Sequence, residues 1–273
     1  MNTDGWIDTH CHLDAFLRAG DLERVISDAH AQGIRGWIVP GVEPGNWSRV
    51  RAVCASTRGA AFALGIHPWW SHVCRGEALE ALENAVGEAI RRHEPIVAIG
   101  ECGLDRLRGA SRAQEEGLLA QISLANQFGL PVILHCVRRH GRLLELLSRC
   151  PPEYGFVVHA FSGSAEVALG YVSLGGYIGL GGLLEDRKAE KWLAVLRSVP
   201  KERILVETDA PDMKAAAWPG RRNEPANLAR VVERLEALES QTTGEPDLDW
   251  KCILSSNTCH LFSRYGAIQV EKR

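Results

Sequence analysis

No uninterrupted apolar run in this sequence approaches the ~18 residues that a membrane-spanning helix needs, so no span is expected. The opening residues, Met1-Asn2-Thr3-Asp4-Gly5-Trp6, carry neither a basic nor an apolar segment, and no signal peptide is expected. No excess of positive charge exists either. Lys and Arg number 31 against 34 Asp and Glu, a net charge of −3, which argues against a broad basic surface that grips duplex DNA. Nucleic acid is not thereby excluded, because phosphates can be met through metals and a few local arginines. Eight cysteines are scattered without a C-x-x-C pair, so reduced thiols in a cytoplasmic protein are expected rather than a disulfide framework. Neither G-x-G-x-x-G nor G-x-x-x-x-G-K-S/T follows any apolar run, which removes the usual nucleotide-binding loops. There is no repeat, low-complexity tract or Gly/Ser linker, and we read residues 1–273 as one domain.

What is present is a rhythm, in a composition of 45% hydrophobic and 24% charged residues that can bury a sizeable core. Short apolar runs fall at residues 6–8, 36–40, 61–66, 96–100, 131–134, 156–158, 177–180 and 204–206. Several are near-continuous hydrophobics, as strands buried on both faces are. Amphipathic stretches alternate with them at residues 22–32, 77–93, 111–128, 143–150, 165–174, 189–198 and 228–238, with a last helix near 250–265. Asp21 and Ser111 stand where N-caps belong, and Gly129-Leu130-Pro131 stops a helix. Eight strand–helix alternations favour an α/β fold of the (β/α)8 TIM-barrel type, with an open doubly wound sheet as the alternative.

On that map the histidines and carboxylates fall at strand ends. His10 and His12 follow the first strand, two apart, so that both imidazoles point the same way. Glu101 ends the fourth run, His135 the fifth and His159 the sixth, and Asp209 follows the eighth. The C-terminal strand ends of a barrel converge on one mouth, which brings six potential ligands into one pocket. Four imidazoles and two carboxylates suit Zn, Mn, Fe or Mg, and not a structural zinc held by four thiolates. Glu101, central in the set, is placed to bridge two divalent ions about 3.5–4 Å apart, an arrangement suited to phosphodiester hydrolysis. Asp209 is expected to ligate a metal and to accept the proton of the attacking water.

The segments Ile7-Asp8-Thr9-His10-Cys11-His12-Leu13-Asp14, Gly65-Ile66-His67-Pro68, Ile99-Gly100-Glu101-Cys102-Gly103-Leu104-Asp105, Pro131-Val132-Ile133-Leu134-His135, His159-Ala160-Phe161-Ser162-Gly163-Ser164 and Glu207-Thr208-Asp209-Ala210-Pro211-Asp212 resemble the motif series of the TatD-like hydrolases. Arg222-Asn223-Glu224-Pro225 and Asn257-Thr258 with Leu261-Phe262 resemble that family's C-terminal features. The Glu207–Met213 run and Gly181-Gly182 look closest to its YjjV-like branch. The resemblance implies a metal-dependent deoxyribonuclease-type phosphodiesterase on a TIM barrel, with two divalent ions (Mg, Mn or Zn). Its ligand roles carry onto His10, His12, Glu101, His135, His159 and Asp209. It also implies that His67 contacts phosphate or substrate and acts in catalysis, and that Glu207 supports the site. Two departures bear on substrate. Val137 stands where the family often has Arg, leaving Arg138 or Arg139 to substitute, and Arg106-Leu107-Arg108-Gly109-Ala110 replaces a loop that commonly holds aromatics.

Other conspicuous residues have more ordinary readings. Cys11, Cys102 and Cys136 each neighbour a ligand, yet strand alternation turns them towards the helices, where they pack. Trp69 and Trp70 either fill core or form a base-stacking wall. His30, His93 and His260 read as surface or packing residues, and His72 and His140 complete no ligand pattern. Arg221-Arg222 either meets a phosphate or is solvated. The expected partner is DNA as a single strand or strand end, with no membrane and no obligate protein partner. The principal rival is an amidohydrolase of a small amide, lactone or ester on the same scaffold, since fold does not fix function. A catalytically dead binding scaffold is the other. Glu101, where many amidohydrolases have a carboxylated lysine, favours the first reading.

Overall fold

In a computed structural model, which describes residues 5–108, 111–186, 189–243 and 248–265, eight parallel strands neighbour one another in chain order. They are β1 (Trp6–Asp8), β2 (Ile34–Pro40), β3 (Ala60–Leu64), β4 (Ile96–Asp105), β5 (Val132–Val137), β6 (Phe156–Val158), β7 (Gly176–Leu180) and β8 (Ile204–Val206). The helices are α1 (Leu13–Ala19), α2 (Leu22–Ala31), α3 (Trp47–Ser56), α4 (Glu77–Arg91), α5 (Ser111–Phe128), α6 (His140–Arg149), α7 (Ala165–Ser173), α8 (Leu183–Asp186), α9 (Ala189–Ser198), α10 (Leu228–Thr243) and α11 (Trp250–Leu261). At the seam, Thr9 N and Oγ1 donate to the Val206 carbonyl at 3.1 and 2.9 Å. Thr208 N and Oγ1 donate to the buried Asp8 carboxylate at 2.9 and 2.6 Å. Sequential neighbours joined at that seam make a (β/α)8 barrel. The open doubly wound alternative falls, because its strand order reverses at a switch point and this one does not.

Side-chain alternation divides the apolar residues into two layers. Trp37, Val39, Phe62, Leu64, Leu134 and Phe156 belong to the larger one, between strands and helices. Ile7, Ile38, Ala61, Val97, Ile133 and Leu205 form the inner one, together with Leu261, Phe262 and Tyr265 from the C-terminal segment. Tyr265 Oη donates to the Gly59 carbonyl at 2.9 Å, and Asn257 Nδ2 donates to the carbonyls of Lys201 and Ile204, both at 2.8 Å. The C-terminal features therefore close the N-terminal end of the barrel and leave the opposite end for chemistry.

Several expected boundaries move. β4 runs to Asp105 and β5 to Val137, so Glu101 and His135 lie inside strands and not at their ends. Gly100 and Gly103 let neighbouring strands approach. A Cβ on Gly103 would meet the His135 carbonyl oxygen at 2.0 Å, and its φ of 145° suits glycine. Helices α1, α3 and α8 were not anticipated; α6 starts three residues earlier than expected and α10 runs on to Thr243. Asp21 precedes α2 without a side-chain cap bond, because its carboxylate is engaged by Arg24 at 3.0 Å and by Arg222. Gly109 and Ala110 lie outside the described residues, as does the side chain of the anticipated cap Ser111.

Candidate metal centre

The six anticipated ligands meet around one carboxylate. Glu101 sends Oε2 towards the β1 side, 3.2 Å from His10 Nε2 and 3.9 Å from His12 Nε2. Its Oε1 faces the other way, 2.9 Å from His135 Nδ1 and 2.7 Å from His159 Nε2. Asp209 Oδ1 completes the first group, 3.5 Å from His10 Nε2 and 3.4 Å from His12 Nε2. Ligand atoms of His10, His12 and Asp209, of His10, Glu101 and His159, and of His67, Glu101 and His135 each lie within 4.8 Å of one another.

Local structure explains why these side chains converge. Asp209 adopts a φ of 58°, a left-handed conformation that Asp tolerates better than most residues. It is held there because its N–H donates to the His10 carbonyl at 2.9 Å and its carbonyl accepts from Asp212 N at 2.8 Å. Asn223 Nδ2 fastens the same loop by donating to the Thr208 and Asp212 carbonyls at 2.7 and 2.9 Å. Glu207 is buried and accepts from Ala160 N through Oε1, which lies 3.7 Å from His159 Nδ1. A Cβ on Gly179 would meet Glu207 Oε2 at 2.5 Å, so only glycine leaves that carboxylate room.

The donor set fits divalent metal. His10 Nε2, which faces Glu101 and Asp209, is buried and makes no hydrogen bond among the described residues, as expected of a lone pair arranged for an ion. Burial alone would raise the Glu101 pKa, but His159, His67 and His10 hold it well below the usual carboxylate range. Asp209 is lowered likewise against its burial, chiefly by His12. Burial would depress His12, yet Asp209, Glu101 and Asp14 push it up to about 9. A pocket whose charge draws protons onto imidazoles draws divalent cations for the same reason.

His67 differs from the four other imidazoles. Its Nδ1 accepts from Trp69 N at 3.2 Å, so the neutral ring carries its proton on Nε2, 3.2 Å from Glu101 Oε1. Burial lowers its pKa and keeps it neutral. Its Nε2–H is therefore a donor, and the trio it forms with Glu101 and His135 is a poor third cation site.

Around the mouth the sequence-derived candidates separate. Trp69 is 49% and Trp70 36% exposed, so neither fills core. Trp69 Nε1 donates to Asp105 Oδ2 at 2.7 Å, and the Arg108 guanidinium lies 4.5 Å from its ring centre. Arg139 is committed to Glu115 at 2.9 Å, whereas Arg138 is exposed and has no ion pair among the described residues. Arg222 is engaged by Asp21 and lies 4.4 Å from the Phe16 ring centre, away from the ligands. His140 Nδ1 is 3.0 Å from Tyr171 Oη and serves packing. Cys11, Cys102 and Cys136 lie in the outer apolar layer and are in none of the ligand groups. Asp105, Gln114 and the Asp8–Thr208 seam take roles here that no sequence pattern announces. Asp105, the last residue of the Ile99–Asp105 segment and of β4, is the one that its place at a strand end could have flagged.

The comparisons follow the same lines. A family model described as TatD related DNase matches residues 7–263. The chain is 36% identical over 260 residues to the uncharacterized metal-dependent hydrolase YjjV of Escherichia coli, covering 94% of this chain and 98% of that protein. The YjjV crystal structure superposes with a TM-score of 0.84 at 37% identity, over 94% of this chain and 98% of that one. The 3'-5' ssDNA/RNA exonuclease TatD of Edwardsiella piscicida is 33% identical over 258 residues, covering 89% of this chain and 94% of that protein. A family match over nearly the whole barrel, on the motifs that build the ligand cluster, places this chain in the TatD family.

Proposed function

We propose that this chain is a divalent-metal-dependent hydrolase of phosphodiester bonds, a deoxyribonuclease-type enzyme acting on single strands or strand ends. The observation that carries the reading is the division of Glu101: one oxygen faces His10 and His12, the other His135 and His159. On that basis His10, His12, Glu101 and Asp209 hold one ion, and Glu101, His135 and His159 a second, with Mg, Mn or Zn suited to the mixed donors. When bound, such ions supply Lewis acidity and lower the pKa of a coordinated water. Asp209, ionised, is the group to take the proton of the attacking water. His67 offers its Nε2–H to a phosphate oxygen, a neutral donor whose direction Trp69 N fixes. Trp69 supplies a stacking face and the exposed Arg138 a cation for the flanking strand. The relative from Edwardsiella piscicida bears the name of a single-strand exonuclease, which supports the substrate class. The amidohydrolase alternative loses ground because Glu101 supplies the central carboxylate. Among the described residues no helix is long and apolar enough to cross a membrane, and the free thiols fit a reducing cytoplasm. The test is digestion of end-labelled single- and double-stranded DNA by metal-stripped and metal-restored protein, beside a lactone and a bis-aryl phosphodiester. Metal-dependent cutting of the oligonucleotide is expected, and turnover of the lactone alone overturns the reading.

A further inference from the structure

Asp105, the last residue of β4, accepts from three donors on three different segments. Its Oδ2 takes the Trp69 indole N–H at 2.7 Å and lies 3.3 Å from His135 Nε2, while its Oδ1 takes Leu107 N at 2.7 Å. Gln114 of α5 grips the backbone of the same residue from both sides. It accepts from Asp105 N at 2.9 Å through Oε1 and donates to the Asp105 carbonyl at 3.0 Å through Nε2. The carboxylate is thus fixed in position before any substrate arrives.

The consequence for His135 is tautomeric. With Nε2–H donated to Asp105, the His135 lone pair sits on Nδ1, the atom 2.9 Å from Glu101 Oε1 and 3.2 Å from His159 Nε2. Trp69 enters the same arrangement twice. Its indole shares the Asp105 oxygen with His135, and its backbone N–H fixes the His67 tautomer. We infer that Asp105 is a positioning residue that couples occupancy of the second metal position, through His135, to the placement of the substrate-facing Trp69 ring. This inference rests on the two-ion reading given above. By linkage the coupling is reciprocal: whatever orders Trp69 strengthens the second ion, and the second ion orders Trp69.

Asp105→Asn is the informative variant, because it keeps the shape yet cannot accept from all three donors. The experiment follows Zn²⁺ binding to metal-stripped protein by equilibrium dialysis, with 5-fluorotryptophan incorporated and the Trp69 fluorine resonance assigned through Trp69→Phe. In the unaltered chain two equivalents bind and the second shifts the Trp69 resonance. In Asp105→Asn the second equivalent binds about 10–100-fold more weakly, the first is unchanged, and the resonance no longer follows metal. Trp69→Phe weakens the second equivalent by a smaller factor, and Asp105→Glu restores part of the affinity. Two equivalents with unchanged affinities in Asp105→Asn overturn the coupling and leave the two-ion reading standing. A single equivalent in the unaltered chain overturns both.

Discussion

Glu101 and Asp209 supply the negative charge among the clustered imidazoles. Glu101 stands between the two groups of imidazoles, and Asp209 closes only the group built on His10 and His12. Removing either carboxylate leaves imidazoles without a compensating charge and the proposed ions without a ligand. Glu101→Ala and Asp209→Ala should each lower phosphodiester hydrolysis by about 10³-fold or more, roughly 4 kcal/mol of transition-state stabilisation, while far-UV circular dichroism stays that of the barrel. Near-normal turnover of either variant after metal restoration contradicts the assignment. A histidine outside the cluster sets a different pH response. Burial, with Lys191 nearby, pushes the His140 pKa down to about 4. In the unfolded chain it returns to about 6.5, so between those values only the unfolded state binds the proton. Stability therefore falls as pH drops through that window. His140→Asn cannot take up that proton. Urea unfolding at pH 7.5 and pH 5 should show the variant losing about 1–2 kcal/mol less than the unaltered chain over that interval, after allowance for partial exposure. Equal losses in the two proteins show that His140 does not titrate on unfolding.

Strand alternation in β4 and β5 turns the thiols of Cys102 and Cys136 away from the cluster, and Cys11, in the segment between β1 and α1, turns away as well. Cys11 Sγ points to the Ala210 carbonyl at 3.7 Å and Cys102 Sγ to the Ile133 carbonyl at 3.9 Å. Tyr171 Oη reaches Cys136 Sγ at 3.8 Å, behind the strand that carries His135 inward. Substituting all three by Ala should leave the metal stoichiometry unchanged and cost about 1 kcal/mol of stability per site, measured by elemental analysis and denaturation. Fewer bound ions would put a thiol among the ligands. The same alternation made the ligand set legible in the sequence, since the chain rhythm placed β1, β6, β8, α5 and α9 at their observed bounds. The elements that escaped had weak local signals. α1 begins at Leu13 directly after His12, without a turn, and α3 mixes Arg and Ser into its apolar positions. β4 was cut short at a glycine that reads as a breaker but admits a neighbouring strand. Asp105 escaped for another reason. Its partners lie 36 and 30 residues away, and no periodicity announces a hydrogen bond that only the closed barrel makes.

At the scale of the whole molecule, the barrel is plugged at one end by Leu261, Phe262 and Tyr265 and carries the candidate ligand cluster at the other. The cluster sits low. Glu101 is 3%, His159 4% and His10 0% exposed, so a phosphate must descend between the loops to reach it. A rigid duplex brings its phosphates to a surface, not into a concavity, whereas a single strand or frayed end can thread inward. The net charge of −3 supplies no long-range attraction for duplex and leaves recognition to local groups. Those groups gather beside β4 and β5. Arg106 N donates to the Val137 carbonyl at 3.0 Å, which sets Arg106 next to the exposed Arg138, and Arg108 lies over the half-exposed Trp69. A base stacked on such a ring contributes about 1–3 kcal/mol, a tenfold or larger change in affinity. Trp69→Ala should therefore raise KM for a labelled single-stranded oligonucleotide about tenfold or more, with Trp70→Ala also weakening its cleavage. At saturating metal both variants should affect a bis-aryl phosphodiester, which carries no flanking nucleotides, far less. Equal losses on the two substrates would make the rings structural supports. Faster cutting of blunt duplex than of the matching single strand would show that phosphates reach the metals by a route other than threading.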